Sequence, residues 1–273
     1  MKQVRLFVIG LFIAQAVDAQ NLEFNFGGGY HFSSASQFFI DNISSSGSTT
    51  SYKRIASSFG RGISAIAGLR YSLSHWLDLW IDVRYAFSVP AVKGSTVFSG
   101  IDYYYNESNK WKSRVLQASP SIGLKIASQK LQPYARLGIT VPVYSRINVS
   151  ASYTSSGFGG PIATGSNRKI YRLKHTAGYT AAAGIAPALS KKLSVFVEVD
   201  IISQAIQVRR SSLVSDIVNG VEKIDTYPTA TRETIYVRKL DSQTYDPNEP
   251  SRQLGFSLPY SSIGLNAGLR VKL

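Results

Sequence analysis

The sequence predicts an all-β fold, a transmembrane antiparallel up-and-down β-barrel of eight strands with long extracellular loops. Three observations predict it. Apolar and polar residues alternate with period two in eight separate segments, the pattern of strands with one apolar face. The connections between those segments are short and long in strict alternation. Charged residues make up 17% of the 273 positions, below the roughly 25% usual for soluble domains.

The chain opens with Lys2 and Arg5, followed by an almost unbroken apolar run over residues 6–16 (LFVIGLFIAQA) and the small-residue site Val17-Asp18-Ala19. Residues 1–19 are therefore expected to be a signal peptide cleaved before Gln20, with the barrel over 20–273. Eleven residues rise only about 16 Å as a helix, short of the roughly 30 Å hydrocarbon core that an anchor must cross. No later stretch supplies the ~20 apolar residues of a membrane helix; the nearest, 180–189, is mostly alanine and contains Pro187.

The alternating segments then follow in order. The first turns Leu22, Phe24, Phe26, Tyr30 and Phe32 outward, and the second Ile63, Ala65, Ala67, Leu69, Tyr71 and Leu73. The third is the clearest, with Leu77, Leu79, Ile81, Val83, Tyr85 and Phe87 outward and Asp78, Trp80, Asp82, Arg84, Ala86 and Ser88 between them. The fourth presents Leu116, Ala118, Ile122, Leu124 and Ile126; the fifth Ala135, Leu137, Ile139, Val141 and Val143. The sixth is read from Leu173 through Ala177, Tyr179, Ala181 and Ile185. Leu193, Val195, Val197, Val199 and Ile201 form the seventh, and Ile263, Leu265, Ala267, Leu269, Val271 and Leu273 the eighth.

Short links at Ser74-His75-Trp76, 128–130 and 190–192 alternate with long ones at about 33–62, 89–113, 145–170 and 204–258. A soluble sandwich has no reason to place every long loop at one end. A membrane barrel does, because it carries short periplasmic turns and long external loops. An even strand count closes the sheet and leaves no edge unpaired in lipid. In the last loop Asn219-Gly220 is a hairpin signal and 231–240 (TRETIYVRKL) another strand candidate; both are read as strands above the membrane, with a ten-stranded barrel as the alternative.

The interleaved, inward positions carry Glu23, Arg70, Asp78, Asp82, Arg84, Lys125, Arg136, Glu198, Asp200, Arg270 and Lys272. Simple register sets Ser72 opposite Asp78 and Gly68 opposite Asp82, with Arg70 diagonal to both acids; strand closure brings Glu23 near Lys272 and Arg270. An eight-stranded interior is just wide enough for side chains to fill it. A salt-bridged lumen is expected, against the alternative of a narrow charge-lined channel for small polar solutes. Asp78 and Asp82 stand about 13 Å apart on one strand face, too far to share a proton.

His31 is placed inward near the outer rim, His75 in a periplasmic turn, and His175 outward near the outer leaflet. A lipid-modifying enzyme built on His175 is disfavoured, because the nearest outward serine, Ser203, falls opposite Tyr179, roughly 13 Å away. No phosphate loop, zinc helix or calcium loop is present in the sequence, and no catalytic residue, metal or cofactor is assigned. With no cysteine, disulfides and thiolate chemistry are excluded.

The formal net charge is +14. Arg61, Lys112, Arg114, Arg146, Arg168, Lys169, Arg172, Lys174, Arg209 and Arg210 gather at the outer ends of the strands, a basic collar suited to the phosphates of lipopolysaccharide. Arg168 and Lys169, at the opening of the sixth strand, are expected to meet lipid directly, while Arg172 and Lys174 face inward by parity, close enough to the mouth to reach a phosphate or a soluble anion. Nucleic acid, the other usual partner of a basic chain, is discounted in a secreted protein whose cations track the membrane boundary.

Three stretches carry a resemblance: 261–273 (SSIGLNAGLRVKL), 132–138 (QPYARLG), and Ala183-Gly184-Ile185 with Leu189-Ser190 and 193–199 (LSVFVEV). They resemble the closing and mid-barrel strands of the small outer-membrane β-barrel proteins of Bacteroidota, although the last residue is Leu273 where such barrels usually end in an aromatic. The resemblance implies a Gram-negative outer-membrane location and insertion by the barrel-assembly machinery, and it implies no chemistry. The expected role is structural and interactive, through lipopolysaccharide contact and an extracellular protein or glycan bound by the loops.

Overall fold

A computed structural model describes residues 21–34, 38–46, 49–88, 92–99, 103–126, 130–157, 162–174, 176–240 and 246–273. The leader expected over 1–19, His175 and most of the 128–130 link lie outside these residues. In chain order the strands are β1 (Leu22–Ser33), β2 (Phe38–Ser46), β3 (Thr49–Ser57), β4 (Gly62–Ser72), β5 (Leu77–Phe87), β6 (Val92–Ser99) and β7 (Tyr103–Lys125). Next come β8 (Leu131–Gly157), β9 (Ala163–Leu173), β10 (Gly178–Pro187), β11 (Leu193–Ser203), β12 (Ala205–Val218) and β13 (Val221–Glu222). The last four are β14 (Glu233–Val237), β15 (Ser251–Leu254), β16 (Ser257–Pro259) and β17 (Ser262–Lys272).

Eight of these strands close on themselves. β1 pairs with β4, then β5, β7, β8, β10, β11 and β17 follow, and β17 returns to β1, every pairing antiparallel. The eight are the eight alternating segments, so the ten-stranded alternative falls. The expected register pairs Ser72↔Asp78, Gly68↔Asp82 and Tyr179↔Ser203 are observed, and the expected nearness of Glu23 to Lys272 is a direct pairing.

The outward set forms an exposed apolar belt: Ile81 is 59% exposed, Leu137 66% and Tyr179 71%, while inward Asp78 and Arg70 are both at 0%. A soluble protein would have the reverse. Apolar outside and charged inside, with every spanning strand paired on both edges, is a transmembrane β-barrel.

Two of the short turns share one construction, Leu-Ser-x-x-Leu. Leu73 and Ser74 donate their backbone N–H groups to the Leu77 carbonyl, and Leu189 and Ser190 do the same to Leu193. In each, the serine hydroxyl accepts from the two amides that follow, Trp76 and Leu77 in one, Lys192 and Leu193 in the other. The serine supplies a partner for amides that the tight reversal leaves unpaired.

At the wide end the long connections are largely strands. β7 and β8 run 23 and 27 residues, more than twice the 9–11 that a bilayer needs. Their outer halves continue into a sheet in which β8 pairs with β9, β9 with β12, β12 with β13 and β14, and β14 with β15. On the other side β7 pairs with β6, β6 with β2 and β2 with β3. The Asn219-Gly220 hairpin is present, with both residues at positive φ (50° and 80°), the geometry of a type I′ turn. The 231–240 candidate becomes β14, preceded by a helical turn at Thr229–Arg232.

One expected strand is divided. Leu173 ends β9, and the spanning strand β10 begins only at Gly178. Lys174 N–H donates to the Gln207 carbonyl, one step further along the β9–β12 register, and the Thr176 hydroxyl donates to the Ala205 carbonyl. The chain is drawn across to β12, which resets the parity of everything before it.

Leu173 therefore belongs to an apolar cluster above the membrane, with Phe59, Val115, Ile147, Val149, Ile206, Val208, Leu258 and Tyr260. Below it the inward faces are charged; above it the ordinary order of apolar core and polar surface resumes.

Two predictions test this layout. Cysteines at Ser156 and Asn219 should react with an impermeant thiol reagent on intact cells, whereas cysteines at Ser74 and Ser190 should not; labelling at Ser190 would invert or break the topology. Within the hairpin, the Glu222 carboxylate accepts from the Asp216 amide (2.7 Å) and the Ser215 hydroxyl (2.7 Å), which lower its pKa. That stabilisation is complete above the ordinary carboxylate range and is lost as pH falls through the lowered value. The protection factor of the Asp216 amide, its exchange rate relative to that of an unstructured peptide at the same pH, should fall on acidification, and Glu222→Gln should abolish that pH dependence.

Candidate functional site

Two charged assemblies are built by this fold, one inside the barrel and one on its outer rim. The first centres on Trp80, an inward residue of β5 that sits between Asp78 and Asp82. The guanidinium carbons of Arg70, Arg136 and Arg270 lie 5.0, 4.9 and 5.1 Å from its ring centroid, and Tyr134 stacks on it at 5.4 Å.

Around that ring each charge has a partner. Arg70 Nε donates to Asp78 Oδ2 (2.7 Å), Arg70 Nη1 to Glu23 Oε2 (2.9 Å), and Lys125 Nζ to Asp78 Oδ1 (2.6 Å). Arg136 binds Asp82 and, at 2.8 Å, Glu198. Glu198 also accepts from the Tyr134 hydroxyl (2.9 Å) and from Asn266 Nδ2 (3.3 Å). Arg270 lies 3.7 Å from Glu23, and Arg84 pairs with Asp200.

The expected sharing of Arg70 between Asp78 and Asp82 is corrected. Arg70 joins Asp78 to Glu23, and Asp82 turns to Arg136. Trp80 stands between the two acids in the same inward row and separates them. Gly68, opposite Asp82, leaves the room that the carboxylate occupies; a Cβ there would collide with Asp82 Oδ1. Lys272 is a second correction, because it stands opposite Glu23 in register but is exposed at the strand end. The buried network thus sets Glu23, Asp78, Asp82, Glu198 and Asp200 against Arg70, Arg84, Lys125, Arg136 and Arg270. The void left beside Trp80, Tyr134 and Phe196 is about 10 Å³, near the lower limit for one water molecule.

Near the upper end His31 Nε2 lies 3.1 Å from Ser64 Oγ, and His31 Nδ1 lies 3.7 Å from Asp200 Oδ1. The order resembles a serine–histidine–aspartate relay. Arg84 Nη1, however, contacts the same Nε2 at 3.0 Å, and Ser64, His31 and Asp200 are exposed by no more than 2%. A nucleophile needs an open approach, and Ser64 has none. His75 lies exposed in its turn, as expected.

The second assembly lies on the outer face of the extracellular sheet. Register places Arg114 opposite Arg146, Arg146 opposite Arg172, and Arg172 opposite Arg210. Four arginines therefore stand in one line across β7, β8, β9 and β12, with neighbouring Cβ atoms about 5 Å apart, a spacing at which like charges repel. Arg210 is relieved by Glu233, and Arg146 Nε donates to Asn148 Oδ1 at 3.1 Å. Among the described residues Arg114, Arg146 and Arg172 have no carboxylate partner. Lys112 and Arg168 share this face, opposite Asn148 and Ser150.

The line sits directly above the apolar belt. Arg114 is beside Phe87 of β5, and one row lower on the same face Leu116 stands opposite Tyr144. A bulge at Leu116/Gln117 moves the outward face of β8 from odd positions to even ones, which brings Arg146 out. Arg172 and Lys174, expected inward, are both exposed, because the β9–β10 break removes the parity that placed them. Lys169 is corrected the other way: it lies over the Tyr171 ring at 5.7 Å on the opposite face, and burial lowers its pKa. Arg61 is apart from the line, its Nε donating to the Tyr30 hydroxyl at 3.3 Å.

Trp80 was legible as an interleaved residue of the third segment but not as the hub; a large aromatic inside a charged inward row is the signal. Lys110, Lys112 and Arg114 recur at the strand period of two, which marks one basic face of β7.

No family model matches the chain, and no curated protein matches it in sequence. Among solved structures it is similar to Neisserial surface protein A (NspA), at 11% identity over 93% of this chain and 97% of that one, with a TM-score of 0.37. It is also similar to Ail, the attachment invasion locus protein of Yersinia pestis, at 12% identity over 91% and 97%, with a TM-score of 0.27. At these scores the likeness bears on neither family nor activity. The class is defined by the fold itself: an eight-stranded transmembrane β-barrel with a charge-paired interior and a large extracellular β-sheet.

The interior predicts a large mutational effect. Arg70→Ala leaves Asp78 and Glu23 without their shared guanidinium, a loss on the order of 3–5 kcal/mol for a buried pair. The temperature at which the folded band disappears on unboiled gels should fall markedly, and Arg70→Lys should recover part of it; an unchanged temperature would mean the network carries little of the stability.

Proposed function

We propose that this protein is an integral outer-membrane barrel with a closed lumen that works at the cell surface, structurally and through its extracellular sheet, with lipopolysaccharide as its immediate partner. The observation that carries this reading is the line Arg114–Arg146–Arg172–Arg210, placed one row above the apolar belt and without carboxylates at three of its four positions. Guanidinium groups bind phosphate by paired, charge-assisted hydrogen bonds, and each basic residue near an anionic surface contributes about 1 kcal/mol. Phosphates of lipopolysaccharide would lie at that height.

The closed lumen is supported by the balanced ion pairs around Trp80 and by the apolar cluster stacked above them. The same reading includes a signal peptide cleaved before Gln20, insertion by the barrel-assembly machinery and the resemblance to the Bacteroidota barrels. The alternative of a narrow channel for small polar solutes would require those pairs to part.

Changing Arg114, Arg146 and Arg172 together to Gln should lower the lipopolysaccharide that copurifies with the folded barrel by more than tenfold, about fivefold for each cation by that same increment. Raised salt should weaken binding by the unaltered protein in the same direction. In planar bilayers the protein should show no steady conductance. Retained lipopolysaccharide in the triple variant, or a stable open level in bilayers, would each remove its half of the reading.

A further inference from the structure

A second cationic site lies away from the arginine line. Where β9, β12, β14 and β16 meet beside the barrel mouth, a cleft of about 640 Å³ opens outward, within the size range of small-ligand pockets. Lys174, Arg209 and Arg238 border it, all exposed, and among the described residues none of the three has a carboxylate partner. Tyr236 and Phe256 supply its aromatic wall.

The wall is held in place from behind. Tyr236 and Phe256 meet edge to face, centroids 5.3 Å apart and planes at 86°, and both touch the Tyr171 ring at 6.4 Å. The Tyr236 hydroxyl lies 3.2 Å from Ser211 Oγ. Backbone bonds from Val208 to Phe256 (3.0 Å) and from Gly255 to Val237 (2.8 Å) tie the rim together. The cleft is therefore a built recess and not a gap between loose loops.

We propose that this cleft binds an acidic saccharide, a sugar carrying phosphate or carboxylate. Three unpaired cations converge on one opening and call for an anion. The two rings stand nearly perpendicular, so they offer no pair of parallel planes to sandwich a flat base. One ring face with a second ring edge suits the apolar face of a pyranose. The inference rests on the surface-facing role proposed above and adds a ligand class and a place to it. The sugar can come from the lipopolysaccharide of the same membrane or from a glycan outside the cell.

The test uses the full-length protein folded in zwitterionic detergent and calorimetric titration. Two probes are used, a deacylated phosphorylated lipopolysaccharide core oligosaccharide and trigalacturonate, each beside a neutral counterpart (the dephosphorylated core and the methyl ester). At least one acidic probe should bind, and its neutral counterpart should bind at least fivefold more weakly. Arg209→Gln with Arg238→Gln should weaken the acidic probe at least fivefold. Phe256→Leu should weaken it too, with the folded gel band retained. Lys191→Gln with Lys192→Gln, at the opposite end of the barrel, should leave it unchanged. Preference for the core oligosaccharide assigns the ligand to the same membrane; preference for trigalacturonate assigns it to the exterior. If neither acidic probe binds, if the neutral forms bind equally, or if the Arg209/Arg238 change costs less than fivefold, the assignment is wrong. Copurifying lipopolysaccharide measured on the Arg114/Arg146/Arg172 variant reports separately on the broader reading.

Discussion

The constraint on which the structure depends is the width of an eight-stranded ring. Such a ring encloses just enough space for side chains and none for bulk water, so every inward charge loses its hydration and must find an opposite charge. The inward faces meet this requirement with five acids and five bases, several of which are shared between two opposite charges. Asp78 is held by Arg70 and Lys125, Arg136 by Asp82 and Glu198, Glu23 by Arg70 with Arg270 nearby. Trp80 adds a flat, electron-rich surface that three guanidinium groups share, which keeps like charges apart while lowering the energy of each. Small residues opposite bulky ones complete the fit: a Cβ on Gly123 would come within 2.6 Å of Trp80 Nε1.

The membrane boundary can be read along single strands as a reversal of polarity. On β7 the outward side passes from Ile122 and Leu116 to Arg114, while the inward side passes from Gln117 to Val115. On β8 the outward side passes from Tyr144 to Arg146, and the inward side from Thr140 to Ile147. Below the reversal the surroundings are hydrocarbon and the interior is polar; above it the surroundings are water and the interior is the Val115, Ile147 and Leu173 cluster. A strand that continues unbroken through this level must exchange the roles of its two faces. β7 and β8 do so in sequence, without a change of strand.

The eight spanning strands were legible because hydrocarbon on one side and a charged lumen on the other impose strict alternation. The lower register followed from it, down to Ser72↔Asp78 and Gly68↔Asp82. The extracellular strands were not legible to the same degree. The outer half of β7 (YYYNESNKWK) carries polar residues on both faces, since water reaches one side and neighbouring loops the other, so no apolar period of two stands out and only the basic residues Lys110, Lys112 and Arg114 mark a face. The partners of Arg70 and Asp82 do not follow from strand spacing alone, because the volume of Trp80 decides which acid each guanidinium reaches. Parity at the rim failed at two irregularities, the β7–β8 bulge and the break after Leu173, neither of which has a signature in its own residues. Asn219-Gly220 was recognised because its backbone demands residues that tolerate positive φ.

The balance inside the barrel also fixes where the chain's charge excess lies. The net charge is +14, and the buried network contributes nothing to it, because its five acids cancel its five bases. Residues 1–19 supply one unit of it, from Lys2 and Arg5 against Asp18, and the rest comes from residues outside the network. Four arginines in direct register raise the energy of the sheet that holds them, and Glu233 relieves only the last. Such a line is tolerable where anions are concentrated beside it, and it stands one row above the reversal of polarity, where the proposed function sets the phosphates of the outer surface. The interior and the rim therefore follow from one rule applied in two media. In the lumen, charge is cancelled by the chain itself. At the rim, in the function proposed above, it is left for the phosphates of the membrane surface to cancel.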